Sequence, residues 1–308
     1  MNKKVLILTD GKAGHENQSK AFARALGCDF DIKEVHFRSA AHKPFSYLFD
    51  RLGFACAGLF TPHLAELANP SSGYAAVLGT GSGTFYAAKT LARRLGVKCG
   101  VVLYPRGYRI STFDCVLAPA FDQPPPASNV VEIPANLVAN DAAFYANGTT
   151  AFRAKYTYDG TRPAVGVIIG GPNKCSTMTA DWMRTELTKL FDATPDCEHW
   201  VTTSRRTPPE VEAVVDTFPF DYKLLYSKDH FNPIPAFVSL AKVLYVTAES
   251  TGMLSEACTF GTAEVRVLDN LNPGPHKFRR FAESCAALGA KKIDLSGPFA
   301  AARKLLAL

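Results

Sequence analysis

The sequence predicts an α/β protein made of two doubly wound, parallel-sheet domains that face each other across a cleft. Three observations carry this expectation. Short apolar runs of strand length alternate with helical patterns along most of the chain, glycine-rich turns stand where the strands end, and 308 residues suit two hydrophobic cores better than one. Val5–Leu8 reads as a buried strand, and residues 17–26 carry Ala21, Phe22, Ala25 and Leu26 at helical spacing ahead of Gly27. Ala75–Leu78 reads as a strand that passes through Gly79-Thr80-Gly81-Ser82-Gly83 into a helix ending at Leu95, with Gly96 as its stop. Strands over 100–104 and 115–118 follow.

Periodicity weakens between Asn140 and Arg162, where Asn, Gly and Thr cluster. The expected domains are therefore 1–155 and 156–308, with a C-terminal helix that can pack back on the first domain. The second domain is read as strands over 164–169, 199–203, 242–246 and 264–268 and helices over 179–192, 208–217 and 250–259.

Composition narrows the function classes. At 47% hydrophobic and 20% charged residues the chain is neither disordered nor a coiled coil. Its net charge of +6 comes from scattered residues, which gives no nucleic-acid footprint and suits anionic small ligands. The eight cysteines (28, 56, 99, 115, 175, 197, 258 and 285) stand singly, without C-x-x-C pairs or metal-like spacing to His. They are expected to be buried thiols of a reducing compartment. The apolar run behind Lys3 and Lys4 is too short for a signal-peptide core, and no run approaches the roughly 18 apolar residues of a spanning helix. The expected location is cytoplasmic, with peripheral contact at the inner face of the membrane as the variant.

In open parallel sheets, ligands bind beyond the carboxyl ends of the strands, so chemistry is sought in the βα loops. The first, Thr9 to Asn17, gathers Asp10, Lys12, His15 and Glu16 at a helix N-terminus. His15 is the candidate general base, with Asp10 or Glu16 orienting it and Asp10 its competitor for the role. The second, Gly79 to Gly83, departs from the dinucleotide fingerprint, and close packing explains it as well as ligand contact does. The third, Gly170-Gly171-Pro172-Asn173-Lys174, offers glycine backbone and a cation to a phosphate, joined by Ser204, Arg205 and Arg206 after the next strand. The fourth, Thr247 to Ala257, brings Ser250, Thr251, Gly252, Ser255 and Glu256 to a helix start. Hydroxyls and free amides there suit a phosphate and Glu256 a ribose diol, while a capping arrangement would also account for Ser and Glu.

Thr9 to Gln18 (TDGKAGHENQ), Gly170 to Lys174 (GGPNK), Thr202 to Glu210 (TTSRRTPPE), Val246 to Cys258 (VTAESTGMLSEAC) and Lys277 to Glu283 (KFRRFAE) together resemble the bacterial branch of the mitochondrial fission "elongated mitochondria" family. Tyr104-Pro105-Arg106, Phe113-Asp114 and Ala118-Pro119 fit the same pattern. The resemblance implies a GT-B glycosyltransferase-like organisation, with two Rossmann-like domains and a nucleotide sugar held mainly by the second. Gly11-Lys12-Ala13-Gly14-His15 is also similar to the G-x-G-G-H loop of the transferase that makes lipid II, although Ala13 replaces a glycine. Ser250-Thr251-Gly252 with Ser255-Glu256-Ala257 is similar to that enzyme's S-G…E nucleotide motif.

These resemblances imply a glycosyltransferase that works without a metal or cofactor. It would move a sugar from a UDP- or GDP-sugar to an acceptor, lipid-linked or of the cell envelope, with Lys174, Arg205 and Arg206 on the leaving diphosphate. The missing acidic or His/Cys cluster agrees with metal independence. A non-catalytic fission-type adaptor on the same scaffold and a nucleotide-sugar epimerase are the alternatives. Finally, the aromatic segment 44–67 reads as a helix pair packed on the first sheet. Its other reading is a membrane-resting patch of Phe49, Phe54 and Phe60 near Lys43 and Arg51.

Overall fold

The computed structural model describes residues 3–308, which form two compact units. The first comprises residues up to Ala139 together with Asp294–Leu308, and the second is Asn140–Ile293. The boundary thus lies about a helix earlier than the sequence suggests.

The first unit runs β1 (Lys4–Thr9), α1 (Ala13–Ala25), β2 (Asp29–Glu34), β3 (His36–Phe37), α2 (His42–Leu52), β4 (Phe60–Thr61), α3 (Leu64–Leu67), β5 (Ala76–Thr80), α4 (Phe85–Leu95), β6 (Lys98–Val102), β7 (Cys115–Pro119) and β8 (Val130–Ile133). Six strands form one parallel sheet in the order β2-β1-β5-β6-β7-β8, while β3 and β4 pair antiparallel beside it. Both faces of the sheet are covered. Val5 and Ile7 of β1 pack with Phe22 and Leu26 of α1, whereas Leu6 and Leu8 pack with Phe85 and Leu91 of α4. This two-sided burial explains why β1 reads as a continuous apolar run. Beyond the second unit the chain returns here, and Ala302 and Leu306 of its last helix enter the core of β1 and α1.

The second unit contains α5 (Ala142–Lys155), β9 (Ala164–Ile168), α6 (Ala180–Ala193), β10 (Glu198–Thr202), α7 (Pro209–Thr217), β11 (Tyr222–Leu224), α8 (Ile234–Leu240), β12 (Val243–Thr247), α9 (Thr251–Thr259), β13 (Glu264–Leu268) and α10 (Lys277–Leu288). The closing helix α11 is Ser296–Leu305 of the first unit. The sheet is again all parallel, in the order β11-β10-β9-β12-β13. Helix α5 occupies most of the stretch where periodicity weakens, and it belongs to the second unit. Asn147-Gly148-Thr149-Thr150 are poor helix formers, yet α5 is fixed by packing. Phe152 is fully buried, its ring 5.2 Å from Trp200 and 6.0 Å from Phe237, and a side chain at Gly148 would collide with Pro235. Tertiary packing here overrides propensity.

Strand order fixes where loops converge. The first sheet reverses direction between β1 and β5 and the second between β9 and β12, so each unit has one switch point flanked by two βα loops. All eight cysteines are free thiols, five of them buried. Among the described residues no helix is long and apolar enough to cross a membrane.

Candidate functional site

At the first switch point the loops after β1 and β5 meet. Helix α1 begins at Ala13, four residues earlier than expected, which places His15 in its first turn. The carboxylate of Asp10 reaches His15 Nδ1 at 3.0 Å and 3.1 Å from its two oxygens, and also accepts from Lys12 Nζ at 3.1 Å. Burial alone would raise the Asp10 carboxyl, but the bonds from Lys12 and His15 outweigh it and hold the group below its ordinary value. A carboxylate on Nδ1 favours the tautomer with a proton there, which leaves the lone pair on Nε2.

The glycines of the second loop make room for this pair. A methyl group at Gly81 would enter the His15 imidazole, and one at Gly83 would press on the Asp10 carboxylate. Gly81 also has φ +83°, a left-handed backbone that a side chain rarely adopts. The glycine-rich turn is therefore explained by packing on the dyad. Glu16 does not orient His15, contrary to the sequence expectation. The helix carries it away from the ring, and it pairs instead with Lys20 at 2.6 Å, the i,i+4 geometry of a helix face.

At the second switch point three loops lock together. Gly170 N–H donates to Thr247 Oγ1 at 2.9 Å, Gly171 N–H donates to Glu249 Oε1 at 2.7 Å, and Thr207 Oγ1 donates to the Gly170 carbonyl at 2.5 Å. A side chain at Gly171 would strike the Arg206 carbonyl, and one at Gly170 the Glu249 carboxylate. The paired glycines are thus required by loop-to-loop packing, and their amides are already engaged, which corrects the reading of them as a phosphate cradle. Asn173 and Ser204 are also structural. Asn173 Oδ1 accepts from Cys175 N–H at 2.8 Å, and Ser204 Oγ accepts from Arg206 N–H at 3.2 Å. Ser255 spends its hydroxyl on the Thr251 carbonyl at 2.6 Å.

Other predicted residues are open. Lys174, Arg205 and Arg206 are exposed, and no side-chain anion pairs with them among the described residues. Ser250 stands at the N-cap of α9, but its side chain makes no capping bond, so among the described residues no side chain caps the amides of Thr251, Gly252 and Met253. That sets aside the capping account of this loop. A methyl group added at Gly252 would meet no atom within 4 Å, so protein packing does not require a glycine there.

Glu256, about one and a half turns into α9, accepts from Asn140 Nδ2 at 3.1 Å and Tyr145 Oη at 2.9 Å, both through Oε1. Burial pushes its carboxyl above the ordinary value despite these two bonds. With its folded pKa above the unfolded one, the stability this group contributes is present at acid pH and is lost as pH rises through the folded pKa. Glu256→Gln keeps the Oε1 acceptor and never ionises. Thermal melts should show it equal to wild type at acid pH and more stable near neutrality, and a wild-type advantage that grows with pH would contradict this burial effect.

Sequence reasoning passed over Glu249. It is 3% exposed, and its second oxygen, Oε2, is buried without a hydrogen-bond partner among the described residues. Its position two residues past the β12 strand end was the available signal. Asn270, just beyond β13, likewise buries both amide atoms without a hydrogen-bond partner among the described residues. Among the described residues no group of three His, Cys, Asp or Glu side chains is placed to share a metal ion.

Comparison with known proteins extends these observations. The family model described as "Mitochondrial fission ELM1" matches residues 13–295. No curated protein sequence matches the chain. Among solved structures it is similar to MurG of Acinetobacter baumannii, with 16% identity over 99% of this chain and 92% of that one and a TM-score of 0.54. It is also similar to a putative UDP-N-acetylglucosamine 2-epimerase from Listeria monocytogenes, at 11% identity, 100% and 89% coverage and TM-score 0.53. A third likeness is to the UDP-GlcNAc 2-epimerase of Methanocaldococcus jannaschii, at 11% identity, 99% and 98% coverage and TM-score 0.51. At these identities the likeness is one of fold, and the two parallel-sheet units are of GT-B type.

Proposed function

Because the chain belongs to the mitochondrial fission ELM1 family, whose sequence here folds in the GT-B manner, we propose that it is a glycosyltransferase using a nucleoside-diphosphate sugar. One observation carries the reading: the carboxyl edge of the second sheet gathers an uncapped helix start at Ser250–Gly252, the retained carboxylate of Glu256, and the unneutralised Lys174, Arg205 and Arg206. A helix start and cations suit a diphosphate, and a carboxylate suits a ribose diol. The names of two fold neighbours, both UDP-GlcNAc 2-epimerases, support a nucleotide sugar as ligand.

In this reading the first unit supplies the proton acceptor. His15 Nε2 takes the proton of an acceptor hydroxyl while Asp10 holds the ring, the freed oxygen forms a bond to the anomeric carbon, and the bond from that carbon to the diphosphate breaks. The nucleoside diphosphate leaves with the bonding electron pair, and the cations and open amides of the second unit stabilise its charge. No metal is invoked.

Calorimetric titration of UDP and GDP into wild type and Glu256→Ala tests the donor site. Loss of a charged hydrogen-bonding partner should weaken binding about 10–150-fold, equivalent to roughly 1.5–3 kcal/mol. Equal affinity would remove Glu256 from the site, and failure of wild type to bind either nucleotide or its sugars would remove the transferase reading in favour of an adaptor. Release of an altered nucleotide sugar without transfer would assign an epimerase.

A further inference from the structure

Helix α2 is amphipathic in the inverted sense. It buries Ser46 and Asp50 towards its own unit, where Ser46 Oγ meets Tyr108 Oη at 2.7 Å and Asp50 takes the Lys89 ammonium. Outward it presents Phe45 (50% exposed), Leu48 (49%) and Leu52 (59%), with Phe54 (62%) just beyond. Residues 45, 48 and 52 lie on one helical face. Phe49 joins the patch together, its ring 6.2 Å from that of Phe45 and 6.3 Å from that of Phe54. Single exposed apolar residues are ordinary, but four large ones in one patch mark an interaction surface.

Charge identifies the occupant. Between Glu34 and Glu66 the only acid is Asp50, and its side chain is wholly buried against Lys89. The cations remain outside. Arg51 stands on the helix among the exposed apolar residues, Arg93 Nη1 donates to the Gly53 carbonyl at 3.2 Å, and Arg109, whose Nε lies 3.8 Å from Asp50 Oδ1 but whose side chain is 45% exposed, lies beside Gly53. Gly53, Phe54, Arg93 and Arg109 also border a recess of 230 Å³. Of the acids bordering that recess, Asp50 is buried and Asp114 is paired with Lys98 at 2.7 Å, and an apolar patch rimmed by cations whose neighbouring acids are already paired fits an anionic lipid surface. A second copy of the same face would instead set cation against cation.

We propose that the outer face of α2, with Phe54, docks this protein in-plane on an anionic bilayer. The apolar side chains enter the headgroup boundary, and Arg51, Arg93 and Arg109 meet lipid phosphates. The structure modifies the sequence expectation for this segment. Phe60 is fully buried and Phe49 half-buried, so Phe45, Leu48 and Leu52 replace them as the contact residues.

Co-sedimentation decides the matter, with vesicles of phosphatidylcholine alone and of equimolar phosphatidylcholine and phosphatidylglycerol. Wild type should pellet with the anionic vesicles at low salt, remain in solution with the neutral ones, and detach as salt rises. Leu52→Ser/Phe54→Ser should bind about ten-fold more weakly or worse, and Arg51→Gln about five-fold more weakly. Both variants alter exposed side chains, so circular dichroism should show an unchanged fold. No pelleting of wild type at low salt, or unchanged binding by the double variant, overturns the proposal. So does a concentration-dependent dimer in velocity sedimentation that the same substitutions dissociate, because the face then belongs to a second copy.

Discussion

Asp50→Ala is expected to destabilise the first unit by about 3–5 kcal/mol, because it strands a buried ammonium without its counter-charge. The Asp50 side chain has no exposed surface and that of Lys89 is 10% exposed, so the ammonium loses its close counter-charge at a position where it meets little solvent. Asp50 Oδ2 also accepts the Arg109 N–H at 2.6 Å, a second donor that would be left unpaired. Lys89 sits among Tyr86, Tyr108 and Phe113, with its nitrogen 5.1–5.4 Å from their ring centroids, and its remaining hydrogen bond, 3.3 Å to Thr112 Oγ1, is long. These contacts cannot replace a carboxylate. Adding Lys89→Met to the same chain should recover most of the loss, since an apolar side chain of similar length suits the aromatic surround. Urea unfolding followed by far-ultraviolet circular dichroism measures the effect. Tryptophan fluorescence would report elsewhere, because Trp182 and Trp200 both lie in the second unit. A midpoint for Asp50→Ala equal to wild type would show that the pair contributes nothing net.

The same ion pair shows what the sequence could and could not disclose. Asp50 and Lys89 are 39 positions apart, and nothing local marks either as buried. Strands β1, β5, β9 and β12 were legible because central parallel strands are covered on both faces and read as apolar runs. The edge strands β2 and β11 were not. The first, Asp-Phe-Asp-Ile-Lys-Glu, is at best half-buried and carries charge, so its pattern resembles a loop.

In the candidate site the residue types were visible but the partners were not. The sequence put Asp10, His15 and Glu16 in one loop, and only the helix start at Ala13 decides that Asp10 reaches the ring while Glu16 turns towards Lys20. Glycine read as ligand access turned out to be packing at Gly170 and Gly171, and at Gly81 and Gly83, where the sequence left packing and ligand contact level, packing on the dyad accounts for it, since close approach between loops distant in sequence leaves no local signature. Glu249 escaped notice for the same reason, because its partner amide at Gly171 is 78 positions away.

His15→Ala should lower sugar transfer by roughly 10²–10⁴-fold, the usual loss on removing a general base. Affinity for UDP or GDP should stay at the wild-type value, since the residues proposed to hold the nucleotide belong to the second unit. Asp10→Asn distinguishes the roles within the dyad. An amide can offer N–H to Nδ1 and so stabilise the tautomer whose proton is on Nε2, which removes the lone pair a base requires. If Asp10 is the positioning group, the variant loses turnover without losing nucleotide affinity. Gly81→Ala adds a test that touches no titratable group. Its methyl would enter the space of the imidazole from a backbone at φ +83°, so turnover should fall towards that of His15→Ala by displacement of the ring alone. The assays follow transfer from UDP- and GDP-sugars, with calorimetry for the nucleotide. Near-wild-type turnover in His15→Ala beside a dead Asp10→Asn would make Asp10 the base and reduce the histidine to a wall of the loop.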